Sequence, residues 1–97
     1  MNMQAMLKQA QALQKDMLNT KAEIDAMDFE GESSFVKVTV KGNKEVSRVD
    51  IKAESLDKDD IEALQDMIVV AISEANKKID DYTEKKMSKY GNIPGLF

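Results

Sequence analysis

The chain has 97 residues, of which 42% are hydrophobic and 33% charged, with a formal net charge of −4. This is room for one domain, and the composition suits a folded, helix-rich protein rather than a disordered one. The absence of cysteine, histidine and tryptophan excludes disulfides, thiolate chemistry, imidazole acid–base catalysis and nearly all zinc sites. No apolar run is long enough to span a membrane, and the N-terminus lacks the basic-then-apolar pattern of a secretion signal, so a cytoplasmic protein is expected.

In chain order, the first element is a long helix within residues 1–28. Met3, Met6, Ala10, Leu13, Met17, Thr20, Ile24 and Met27 recur on a seven-residue repeat with one polar member, Thr20. Such a seam asks for a second helix alongside it. Asn2 is placed as the N-cap. The helix would be about 39 Å long, whereas a compact domain of this size has a radius of gyration of about 12–13 Å. A projecting helix is therefore expected. Methionine at seam positions reads first as core or interface, and second as an adaptable groove for a partner.

Residues 29–53 read as a small antiparallel sheet. Asp28 to Ser34 breaks the helical period and suits a short strand or only a turn. Phe35 to Lys41 alternates strictly, with Val36, Val38 and Val40 on one face. Gly42-Asn43 is a turn dipeptide. A second strand, from about Glu45 to Ala53, puts Val49 and Ile51 opposite Arg48, Asp50 and Lys52. The hairpin has one apolar face that needs a helix to cover it.

A second long helix spans residues 57–90, with Asp57 as N-cap, acidic residues in its first turn, and Gly91 as its stop. From Ile61 to Ile72 its apolar surface is wide, which suits a sheet cover. From Ala75 it narrows to Ala75, Ile79 and Tyr82, which suits packing on the first helix. Ile68, Ile72 and Ile79 join Met3, Met6, Ala10, Leu13, Met17 and Ile24 as the candidate dimer or helix-packing seam. Residues 91–97 are expected to be a flexible tail.

No phosphate-binding glycine loop and no catalytic constellation is present. The acidic cluster Glu54, Asp57, Asp59, Asp60 and Glu62 lacks the glycine-punctuated alternation of a calcium loop and reads as a helix start. No enzyme activity, cofactor, metal or small-molecule substrate is expected. The charge is segregated, however. Residues 54–74 hold seven acids against Lys58, whereas residues 75–97 hold five lysines against three acids. Lys77, Lys78, Lys85, Lys86 and Lys89 form either a solvated face with pairs such as Glu74–Lys78 and Asp81–Lys85, or a phosphate-binding strip that Lys8 and Lys15 extend. Lysine outnumbers arginine thirteen to one. Lysine acts on phosphate as a point charge, so DNA binding by such a strip would read little sequence.

The order of elements, the run Lys8 to Lys15 (KQAQALQK), the hairpin VKVTVKGNKEVSRVDI and the ending Pro94-Gly95-Leu96-Phe97 together resemble the YbaB/EbfC family over essentially the whole chain. The resemblance implies an α-β-α fold, a tweezer-shaped homodimer, binding to duplex DNA with little sequence preference, and a place in nucleoid organisation or gene regulation. Two features depart from the family. Gly31-Glu32-Ser33-Ser34 stands where some members are glycine-rich, and the acidic net charge opposes long-range attraction to DNA, which confines binding to the lysine-bearing helices. A dimeric helical scaffold that grips a protein partner is the alternative, and a purely structural seam is a third reading.

Overall fold

The computed structural model describes residues 2–91. Helix α1 (Met3–Ala26) leads into strands β1 (Asp28–Ser33), β2 (Val36–Lys41) and β3 (Val46–Ile51), and helix α2 (Asp60–Met87) follows, with a last 3₁₀ turn over Ser88–Tyr90. The fold is α+β. The expected tail lies outside the described residues, apart from Gly91. That residue ends the turn at φ 75°, the left-handed backbone glycine takes at least cost.

Local chemistry explains the boundaries. Asn2 caps α1, its Oδ1 accepting from Gln4 N at 3.0 Å. Asp59 rather than Asp57 stands at the cap of α2, with no side-chain cap bond. Asp60 instead folds back, its carboxylate accepting from Asp57 N at 2.9 Å. The segment from Asp28 is a full strand, not only a turn. Its acids lie across from the lysines of β2, with Glu30–Lys37 at 3.1 Å and Asp28–Lys41 at 3.5 Å on the open face of the sheet.

The sheet runs β1-β2-β3, antiparallel throughout, with a bulge between Thr39 and Val40. Directly paired residues share a face, so Phe29, Gly31, Val36, Val38, Val40, Val46, Val49 and Ile51 point one way. Helix α2 lies on that face over β1 and β2. Val36, Val38, Val40, Ala71, Ala75 and Ile79 form the core beneath it, with Ile68 and Ile72 half-buried against them. Ala75 and Ile79 therefore pack on the sheet rather than on α1. The added strand β1 carries the sheet further along α2 than a two-stranded hairpin would.

Two glycines set how closely the layers approach. A Cβ on Gly31 would stand 1.9 Å from Ala71 O, and one on Gly42 would stand 1.8 Å from Ile24 O. Backbone meets backbone at both crossings, α2 over β1 and the end of α1 over the hairpin turn.

Helix α1 meets the end of α2 through a second small core of Met17, Ile24, Met87 and Tyr90, with Tyr82 packed against it. The rest of the seam departs from expectation. Every residue from Asn2 to Asp16 is exposed, so Met3, Met6, Ala10 and Leu13 are not buried against any of the described residues. Helix α2 ends at the level of Met17 and Thr20, which leaves the first half of α1 without a neighbouring helix among the described residues. The molecule is accordingly 71 Å long and 18 by 16 Å across, with a radius of gyration of 19.2 Å.

Candidate nucleic-acid interface

The free part of α1 is an arm of about 20 Å, taking 13 residues at 1.5 Å each. Between Asn2 and Lys15 its charged side chains are Lys8 and Lys15, both exposed. They stand seven residues apart and so lie near one line of the helix. The apolar stripe of the same arm is open, with Met3 83% exposed and Leu7 60% exposed.

On α2, Lys78 and Lys85 are separated by seven residues, and Lys89 follows four later, so these three share a side of the rod. Lys77 and Lys86 flank them. All five are exposed. Their surroundings differ. Lys78 is tied inward, donating to Glu30 O at 2.8 Å and lying 3.5 Å from the Glu74 carboxylate, as the i,i+4 spacing predicts. The matching pair Asp81–Lys85 does not form. Among the described residues Lys8, Lys15, Lys77, Lys85 and Lys86 make no ion pair. Lys86 sits 5.7 Å over the Tyr82 ring, and Tyr82 in turn meets Phe29 edge-on at 5.6 Å.

The two sets of lysines meet at the elbow between the helices. Lys89 Nζ lies 3.7 Å from Asp16 Oδ2 and 5.0 Å from the centroid of Tyr90. The Tyr90 hydroxyl first, and then the Asp16 charge, raise the Lys89 ammonium above its ordinary 10.5. From the elbow, Lys8 is about 10 Å up the arm and Lys77 about 18 Å down α2. The strip is therefore about 28 Å long, somewhat less than one turn of duplex DNA, about 34 Å. Its parts are spread along the rod rather than gathered into one patch.

The elbow itself was not legible as a site. Tyr90, buried beneath α1, donates to Asp16 Oδ2 at 2.5 Å, and its oxygen lies 3.1 Å from Thr20 Oγ1. The one signal was Thr20, the polar residue in an otherwise apolar seam, which marks where a hydroxyl must be met. Beside the elbow an open hollow of about 720 Å³ is bounded by Lys21, Asn43, Lys44, Asp80, Glu84 and Met87. Its two lysines are paired within the chain, Lys21 with Asp25 at 2.5 Å and Lys44 with Asp80 at 2.6 Å. Lys44 reaches this position from a left-handed backbone, φ 78°, at the end of the hairpin turn. Both cations are thus neutralised locally and add little to the strip.

Among the described residues, no group of three or more acidic, histidine or cysteine side chains could hold a metal ion, and no helix is long and apolar enough to cross a membrane.

Comparison with known proteins agrees with this shape. The family model described as the YbaB/EbfC DNA-binding family matches residues 1–93. A nucleoid-associated protein of Ligilactobacillus salivarius is 44% identical over 99 residues, covering 99% of this chain and 95% of its own. Nucleoid-associated proteins of Streptococcus suis and Streptococcus pneumoniae are 42% and 43% identical, each over 97% of this chain and 98% of their own. The crystal structure of the uncharacterized protein HP0035 from Helicobacter pylori superposes with a TM-score of 0.75 at 16% identity, covering 95% of this chain and 99% of that one, which establishes a shared fold. With a family model spanning nearly its whole length and relatives above 40% identity, the chain belongs to the YbaB/EbfC DNA-binding family.

Proposed function

We propose that this protein is a cytoplasmic, nucleoid-associated homodimer that binds duplex DNA through the lysines of its rod, with little sequence specificity, in nucleoid organisation or gene regulation. The observation that carries the reading is the arm, a helix standing in solvent over its first 14 residues. Its charges ahead of Asp16 are two cations without carboxylate partners. Lys8 and Lys15 on the arm and Lys77, Lys85 and Lys86 on α2 offer unpaired charges to phosphate, with Lys78 and Lys89 as partly neutralised neighbours. Point charges on flexible stems and a single arginine, Arg48, itself paired with Asp50 at 2.8 Å, suit backbone contact and not base readout. The reading contains no catalytic step and needs neither cofactor nor small-molecule substrate.

The homodimer is supported by the uncovered part of the sheet. Val46, Val49 and Ile51 share the face of the core valines but are 40–41% exposed, because α2 does not reach over β3. A second copy placed there would complete the layer that α2 leaves open. It would also set two arms on one body, as the tweezer shape of the family implies.

The test is fluorescence anisotropy of a labelled duplex of about 30 base pairs, titrated at several salt concentrations. Affinity should fall linearly in log–log with salt, with a slope of about −0.9 per phosphate contact. The charge reversal Lys8→Glu/Lys15→Glu should flatten that slope while leaving helicity intact. A folded wild-type protein that does not bind at low salt would refute the proposal. The second reading, a scaffold for a protein partner, is favoured by the open stripe of Met3, Met6, Leu7 and Leu13. It predicts a partner retained after nuclease treatment.

A further inference from the structure

We propose that Tyr90 is a positioning residue. By holding Asp16 and Thr20 from the end of α2, it fixes the direction of the arm and with it the placement of Lys8 and Lys15 relative to the lysines of α2. The inference rests on the DNA-binding reading for its consequence but not for its geometry.

The elbow is where the arm's direction is decided. Ahead of Asp16 every described residue of α1 is exposed. Below it, Met17 and Ile24 press on Met87 and Tyr90. Apolar contact of that kind is non-directional, and the backbone crossing at Gly42 holds only the far end of α1, so neither fixes the helix at the elbow. Directionality comes from the Tyr90 hydroxyl. It donates to Asp16 Oδ2 at 2.5 Å and lies 3.1 Å from Thr20 Oγ1. Asp16 and Thr20 are four residues apart, one turn of α1, so a single oxygen grips two successive rungs of one helix face. Lys89 closes the cluster from outside, 3.7 Å from Asp16 and stacked 5.0 Å over the Tyr90 ring. A bond to a carboxylate is stronger and more directional than one between neutral groups. A 10° error at the elbow moves the arm's tip by about 3.5 Å over its ~20 Å and Lys8, about 10 Å up the arm, by about 2 Å, whereas Lys15, beside the pivot, is displaced only when the helix rolls about its own axis.

The experiment uses the full chain, which has no native cysteine, so Gln9→Cys and Asp81→Cys carry spin labels cleanly. Labelled protein is diluted into unlabelled protein so that only distances within one protomer are read. Tyr90→Phe keeps the ring in the apolar cluster and removes the hydroxyl. Asp16→Ala removes the acceptor at an exposed helical position where alanine favours the helix, so a widened arm cannot be ascribed to unfolding. Both variants should keep the wild-type circular dichroism and broaden the distance distribution by several Å. Both should also flatten the salt slope of DNA binding toward that of Lys8→Ala/Lys15→Ala, by about 0.9 for each phosphate that the arm no longer reaches. Distance distributions as narrow as wild type in both variants would overturn the positioning role, even if melting temperature falls. A broadened arm with DNA binding unchanged in both variants and in Lys8→Ala/Lys15→Ala would support the positioning role and refute the arm as the DNA contact.

Discussion

Replacing Gly31 by alanine adds one methyl group at the closest crossing of α2 over the sheet. The new carbon would lie 1.9 Å from Ala71 O, 2.7 Å from Ala75 N and 3.0 Å from Ala71 C. All three are backbone atoms of α2, so no rotamer change relieves the overlap. The helix must retreat by about 1.5 Å to restore ordinary contact, and a gap of only about 0.5–1 Å already forfeits about a quarter to a half of each dispersion well along the interface. Alanine in a strand regains about 0.5–1 kcal/mol of backbone entropy relative to glycine. Overpacking in a tight core costs about 1–3 kcal/mol, occasionally more. Backbone atoms that cannot yield place this site at the upper end, so the net effect is a loss of about 2–3 kcal/mol. That corresponds to a fall in melting temperature of about 10–20 °C for a domain of this size. Thermal unfolding followed by circular dichroism, at matched protomer concentration, reads it directly. Gly31→Ala melting at or above the wild-type temperature would refute the close-approach argument, because the entropic term would then have won.

Three further outcomes are expected. Val49→Lys/Ile51→Lys should convert a dimer into a folded protomer of 10.9 kDa in light scattering, since burying two ammonium groups in the apolar face costs more than the contact returns; a dimer surviving both changes would place the interface elsewhere. Because Lys89 is raised above its ordinary 10.5 in the folded protein, its contribution to stability is fully present below 10.5 and is lost as pH rises through the raised value. Lys89→Met should therefore reduce the drop in melting temperature between pH 9 and the strongly alkaline range, and an unchanged drop would refute the coupling. Asn2→Ala should remove the cap bond to Gln4 and speed amide exchange in the first turn of α1, with about 1 kcal/mol of local helix stability lost; the global melting temperature should barely move, because that turn is exposed among the described residues.

Much of the fold was legible because it follows from local pattern. The seven-residue repeat fixed α1, the alternation of Val36, Val38 and Val40 fixed β2, and Asn2 and Gly91 marked ends whose chemistry is carried by a single residue. The lysines of the proposed interface are read from the sequence alone, since charge is a property of the side chain. What the pattern could not give is which of two equal partners a segment meets. Ala75 and Ile79 suit a helix neighbour or a sheet neighbour, and β1, whose acids and central glycine hide its alternation, decided for the sheet. The same holds for the seam. Its repeat from Met3 to Ile24 is uniform, yet only Met17 and Ile24 are buried, because the reach of α2 sets where packing stops. Tyr90 belongs wholly to the tertiary level. Its hydroxyl meets Asp16 and Thr20 across separations of 74 and 70 residues, and no local spacing encodes a contact that exists only once the second helix has returned along the first.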